Sequence, residues 1–134
     1  MCDDDNNIWI STYENGLIRL NINTNKTTSF KFDKNNPNSI PSNTTRGILQ
    51  DTEGSVWIAT EKGLSKYEGS NKFITYTNKS YDVNSISNDV VYTLMQDKSG
   101  LLWVGTYTGI SRFDPVNNIQ LYKSDPLDDY FFCL

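Results

Sequence analysis

The chain has 134 residues, enough for one domain with a sizeable core or for a piece of a larger one. It is acidic, with a formal net charge of −4 and no cluster of Lys or Arg, which argues against nucleic acid as a partner because neutralising phosphates needs a basic face. It has no His, which excludes Ser-His-Asp triads, His-based metal sites and His phosphorylation within these residues.

Asn, Ser, Thr, Tyr and Trp are abundant and Ala is scarce, a composition that favours strands and turns. No long run carries apolar residues at helical spacing. No apolar run approaches the roughly 20 residues that span a bilayer. Residues 1–7 are acidic and polar, unlike a signal peptide, so any export or membrane segment of a parent protein is expected elsewhere. Cys2 and Cys133 stand at opposite ends and read as small hydrophobes; a disulfide between them requires the termini to meet. Neither a metal nor a cofactor is expected.

In chain order, residues 1–20 hold a turn and two short strands. Residues 27–32 alternate and read as a third strand, and a polar loop with Pro37 and Pro41 follows. Strands are then expected at 45–50, 56–60, 64–67 and 73–77, and a second polar loop covers 78–87. The last strands are expected at 90–96, 101–105, 110–113 and 119–122.

This order is a repeat. Trp9, Trp57 and Trp103 stand 48 and 46 residues apart, and Gly16, Gly63 and Gly109 stand 47 and 46 apart. Each copy has an Asp-led turn, an aliphatic-Trp-aliphatic strand, a short loop ending at Gly, and a second alternating strand. Asp51 with Gly54, and Asp97 with Gly100, define the turn; Asp3 with Asn6 is the first copy. Gly tolerates positive φ there and Asn is the next most tolerant residue. The Asp reads as an Asx-turn acceptor. The loops repeat as well, Asn36–Asn43 against Asp82–Asn88. A four-stranded antiparallel unit of this period is one blade of a β-propeller. A β-helix has shorter rungs, and a β-sandwich would not repeat its sequence so closely. The tryptophans read as wedge fillers between blades rather than exposed sugar platforms, because their neighbours Val56, Ile58, Leu102 and Val104 are aliphatic. Thr60 and Thr106 read as caps on backbone groups near the blade ends.

The runs Gln50–Tyr67 and Gln96–Phe113, and less closely Cys2–Leu20, resemble the two-component regulator propeller repeat. The Asn-Ser-Ile loops at 38–43 and 84–88 fit the same family. The resemblance implies the sensor portion of bacterial hybrid two-component histidine kinases and related regulators. Such sensors commonly lie outside the cytoplasmic membrane, periplasmic or extracellular, and recognise glycans. The motif is a scaffold signature, so the resemblance transfers no catalytic or ligand residue.

The fold expected is therefore all-β: about three four-stranded antiparallel propeller blades, either a partial propeller or half of an oligomeric six-bladed ring. Blade 1 covers about 1–33, blade 2 about 44–77 and blade 3 about 90–123. Blade 1 lacks a first strand, and the apolar tail 129–134 aligns with the first strand of blade 3. A homodimer that exchanges strand 129–134 to complete blade 1 is one expectation; a truncated gene or a fragment of a longer sensor is the other. Propellers bind ligands on loops at the end of the channel, which makes Arg46, Tyr107, Tyr13 and Glu61 the candidates for a glycan-like ligand. Arg can fork to a carboxylate and Tyr can stack on a sugar face. Three classes of function compete: a non-enzymatic sensor module, an assembly element, and a propeller lyase or glycosidase. The sensor reading is favoured; the missing His and the absence of a recurring acidic pair count against an enzyme.

Overall fold

The structure, a computed structural model, describes residues 1–117 and 119–123. These residues form eleven strands: β1 (Asn7–Ser11), β2 (Leu17–Asn21), β3 (Lys26–Phe30), β4 (Thr45–Gln50), β5 (Val56–Thr60), β6 (Gly63–Tyr67), β7 (Phe73–Tyr76), β8 (Val91–Gln96), β9 (Leu102–Thr106), β10 (Gly109–Asp114) and β11 (Ile119–Lys123). The strands form three antiparallel meanders: β1-β2-β3, β4-β5-β6-β7 and β8-β9-β10-β11. The first sheet has three strands; among the described residues, an isolated bridge from Cys2 to Ile8 and backbone bonds between Met1 and Trp9 flank β1 on the side that β4 and β8 occupy in the other blades. The tail 129–134, and with it Cys133, lies outside the described residues.

Local sequence explains the strand ends. The third strand, expected to reach Phe32, stops at Phe30 because the backbone then turns to side chains of the loop. Phe32 N donates to Asn43 Oδ1 at 2.8 Å, and Asp33 N donates to Ser39 Oγ at 3.0 Å. The second loop repeats the device, with Lys79 N on Ser85 Oγ at 2.8 Å. In the tight hairpin β5–β6, Gly63 has φ 128°, and a Cβ there would sit 2.6 Å from the Tyr76 carbonyl oxygen, so only Gly fits.

The core lies in two seams between blades. Trp9, Leu17, Phe30 and Ile40 from blade 1 meet Val56, Ile58 and Phe73 from blade 2. Trp57, Ala59, Leu64 and Ile86 from blade 2 meet Val91, Leu102, Val104 and Phe113 from blade 3. Trp9 and Trp57 each pack edge-on against an aromatic on the next blade's third strand: Trp9 on Tyr67 at 5.1 Å and Trp57 on Phe113 at 5.6 Å between ring centres. A cation covers each Trp from its register partner: Arg19, Lys66 and Arg112 lie 5.5, 5.8 and 5.7 Å from the ring centres.

The third Trp departs from the wedge role expected of all three. Trp57 is fully buried and Trp9 is 2% exposed, whereas Trp103 is only half-buried. The motif is the same. What differs is the next blade, which no described residue supplies for Trp103.

Candidate functional site

A polar frame repeats beneath the site. Each turn Asp uses one carboxylate oxygen to accept two backbone amides and the other to accept the indole N–H six residues on. The indole bonds are 2.6 Å for Asp3–Trp9, 2.7 Å for Asp51–Trp57 and 2.8 Å for Asp97–Trp103. Asp51 Oδ1 accepts from Glu53 N at 3.0 Å and Ser55 N at 2.8 Å. The carboxylate thus fixes both the turn and the orientation of the wedge ring. Both Asp3 oxygens are likewise occupied by protein donors.

Neighbouring blades are tied by Gln. Gln50 Oε1 accepts from Asp4 N at 3.0 Å, and Gln96 Oε1 accepts from Thr52 N at 2.9 Å, so each Gln reaches the turn of the preceding blade. Further backbone bonds cross the seams, Gly16 N to Asn43 O and Gly63 N to Asp89 O, each at 2.7 Å. Thr12, Thr60 and Thr106 donate to the carbonyls of Gly16, Gly63 and Gly109 at 2.6, 2.8 and 2.9 Å and close the hairpins at the blade end.

Two of the turn carboxylates are acidified. Bonds from the Ser99 hydroxyl and the Trp103 indole hold Asp97 down at about 2, against an ordinary value of 3.8. For Asp3, burial pushes upward, but the bonds from the Trp9 indole and from Asn7 outweigh it and the pKa is lowered. A lowered native pKa contributes stability that is complete above the unfolded value and is lost as pH falls through the native one. Acid unfolding followed by Trp emission is therefore expected to have a component between about pH 4 and pH 2 that depends on Asp97. Asp97→Asn removes that component; superimposable acid limbs in the two proteins would refute it.

The inner strands are irregular at one end of the blades. In β4 the register passes from Thr45↔Thr60 to Ile48↔Ile58, and in β8 from Val91↔Thr106 to Thr93↔Gly105. Each strand carries one extra residue there, a β-bulge, which re-aims the side chains it bears. The bulges carry Arg46 and Tyr92, which stand 46 residues apart in the repeat. The Arg46 guanidinium lies 4.6 Å from the centre of the Tyr92 ring, across the seam between blades 2 and 3. Its Nη2 is paired with Glu61 Oε1 at 2.8 Å, and its Nε is buried without a hydrogen-bond partner among the described residues. Gly47 makes the close approach of the two strands feasible, since a Cβ there would lie 3.3 Å from the Thr93 Cα and the Tyr92 carbonyl oxygen.

The structure thus joins two of the sequence candidates, Arg46 and Glu61, in one ion pair. Tyr13 and Tyr107 occupy the equivalent hairpin place in blades 1 and 3, directly after Thr12 and Thr106, so they rise from the same end. Both rings are 71% exposed. Tyr92 escaped the sequence reading, although its offset from Arg46 matches the repeat. A separate crevice of about 230 Å³ lies on the outer side, between β7 and the loop 79–86, and shares no residue with the channel end. Among the described residues no group of His, Cys, Asp and Glu is placed to hold a metal ion, and no helix is long and apolar enough to cross a membrane.

Comparison with known proteins agrees with this architecture. The two-component regulator propeller family matches residues 39–62 and 85–108. No curated protein matches the chain. Among solved structures, the extracellular domain of the B. thetaiotaomicron system BT4673, described as a one component system, superposes with a TM-score of 0.70 at 26% identity; the match covers 87% of this chain and 15% of that one. The extracellular domain of the hybrid two component system BT3049 from the same organism gives a TM-score of 0.55 at 17% identity, covering 88% and 22%. Virginiamycin B lyase from Staphylococcus aureus gives 0.68 at 17% identity, covering 92% and 40%, and shares the fold alone. This chain therefore spans a small part of the extracellular domains it resembles, and two stretches of it, residues 39–62 and 85–108, are matched by the two-component regulator propeller family.

Proposed function

We propose that the chain is a ligand-sensing propeller module, acting outside the cytoplasmic membrane, whose channel end recognises a glycan or a similar ligand without catalysing its turnover. One observation carries this reading. Arg46 on blade 2 is stacked on Tyr92 of blade 3 and paired with Glu61, on bulges that turn these side chains out of the ladder. The exposed rings of Tyr13 and Tyr107 rise at the same end. Tyr faces stack on sugar rings, and the Arg–Glu pair offers donors and acceptors to hydroxyl or carboxylate groups. The extracellular domain of the BT4673 system, at 26% identity, supports the location.

An enzyme is the weaker alternative. The lyase of the same fold is described in a catalytically inactive form with one His replaced by Ala, and this chain has no His. A purely assembling role is the other alternative.

The test is calorimetric titration of the chain with neutral and uronate-bearing oligosaccharides. Binding is expected, and Arg46→Ala or Tyr107→Ala should weaken it about ten-fold, roughly 1.4 kcal/mol. Tyr81→Ala, at an exposed ring on the outer loop, is expected to leave affinity unchanged. Affinities indifferent to both channel-end substitutions, or no binding across the panel by a folded chain, would overturn the proposal.

A further inference from the structure

The crevice between β7 and the loop 79–86 has a counterpart at the first seam, and the two are filled differently. At the first seam Tyr67 meets three rings, those of Trp9, Phe30 and Phe73, at 5.1, 5.6 and 5.4 Å between centres. Phe73 also packs with Ile40, and its backbone N donates to Asn38 O at 2.8 Å, which seats it against the loop. At the second seam Phe113 stands in the repeat place of Tyr67, and Tyr76 in that of Phe30. Among the described residues Phe113 meets two rings, Trp57 at 5.6 Å and Tyr76 at 5.0 Å. The shared pair keeps its shape: Phe30 crosses Tyr67 at 61°, and Tyr76 crosses Phe113 at 62°. The ladder differs. Phe73 is the register partner of Tyr67, whereas a bulge after Arg112 makes Gln120 the partner of Phe113. A crevice of about 230 Å³ lies there, with Tyr76, Ile86 and Phe113 in its lining.

We infer that this crevice binds a free aromatic amino acid, with the ligand ring in the place that Phe73 takes at the first seam. The chain itself supplies the template: two rings crossed at this angle accept a third beside them. The size suits one ring with a short polar chain, since the volume falls below the roughly 300–1,000 Å³ of pockets that enclose drug-sized ligands. The floor is apolar, with Ile86 and Phe113 each 2% exposed, and the rim carries one charge of each sign in Lys79 and Asp82. The Lys79 ammonium has no ion pair among the described residues. Asp82 holds Asn84 N with Oδ1 at 2.9 Å and leaves Oδ2 uncommitted. The Ser85 hydroxyl accepts from Lys79 N and donates to the Asp82 carbonyl, each at 2.8 Å, so the backbone beneath both charges is fixed. A cation and an anion beside an aromatic slot match the carboxylate and the ammonium of an amino acid. The crevice shares no residue with the channel end, and this inference does not depend on the ligand proposed there.

Titration of the 134-residue chain with phenylalanine, followed by calorimetry and by the Ile86 methyl resonances, tests it. Saturable binding at millimolar ligand is expected, with ring-current shifts of the Ile86 methyls. Phenylacetate and phenethylamine each carry one of the two charges and should bind about five-fold more weakly. Leucine, which lacks the ring, should lose at least as much. Lys79→Gln and Asp82→Asn should each weaken phenylalanine about five-fold. Asp82→Asn keeps an oxygen for Asn84 N, and circular dichroism of both variants should match the parent. Lys98→Gln, at an exposed lysine on another turn, should leave the affinity unchanged. No binding by the folded chain, leucine binding as well as phenylalanine, or an affinity indifferent to both rim substitutions overturns the inference. So do contacts from residues 124–134 to the Ile86 methyls in the unliganded chain, because the crevice would then be filled by the chain itself.

Discussion

Replacing Trp57 by Ala is expected to cost about 4 kcal/mol of unfolding free energy, while the same change at Trp103 costs about 1–2 kcal/mol. Both residues sit in the same motif, with the same Asp beneath and a cation above. Only the surroundings differ. Trp57 is fully buried against Phe113 and Tyr76, with ring centres 5.6 and 5.8 Å away, so its removal leaves a cavity that the rigid sheets on both sides cannot fill. Trp103 is half-buried and solvent already reaches it. Urea unfolding measures both. Equal losses at the two positions would mean that stability resides within blades and not in the seams.

Asp51→Ala is expected to destabilise by about 3 kcal/mol. The substitution strands the buried Trp57 indole N–H and the amides of Glu53 and Ser55, all of which Asp51 satisfies at 2.7 to 3.0 Å. Asp51→Asn should fall between parent and Ala, because one oxygen still serves the amides while the amide nitrogen faces the indole donor. Trp57→Phe removes that donor. A double-mutant cycle of Asp51→Ala with Trp57→Phe should therefore show a coupling of about 1 kcal/mol or more. Strict additivity would refute a shared bond as the source of the effect.

Much of the architecture was legible because the pattern occurs three times in register. Hairpin glycines, turn aspartates and alternating strands are local features, and each copy corroborates the others. The turn Asp as an acceptor of backbone amides follows from its own neighbourhood. Its second oxygen, on the indole six residues on, depends on the turn folding the Trp strand back over the carboxylate. The Gln at the end of β4 and β8 recurs in the sequence, but its partner lies in the preceding blade, beyond any local reading. Tyr92 was missed for a related reason. Strict alternation assigns a side to each residue, and the bulges in β4 and β8 break that alternation where Arg46 and Tyr92 emerge. The pairing of Arg46 with Glu61, by contrast, joins the two ends of one hairpin, which sequence already placed at the channel end.

The seam bonds also bear on how the chain acquires its structure. Asp4 reaches Gln50, Thr52 reaches Gln96 and Arg19 reaches Tyr67, spans of 46, 44 and 48 residues. Each span is about one repeat, so each seam needs only two adjacent blades to form. Loop-closure entropy grows slowly with length, and similar spans set similar nucleation barriers for the two seams. Folding can begin at either seam and spread to the other. A defect such as Asp51→Ala, which lies in the blade shared by both, slows both routes, whereas a defect at Trp9 or Phe113 leaves one open.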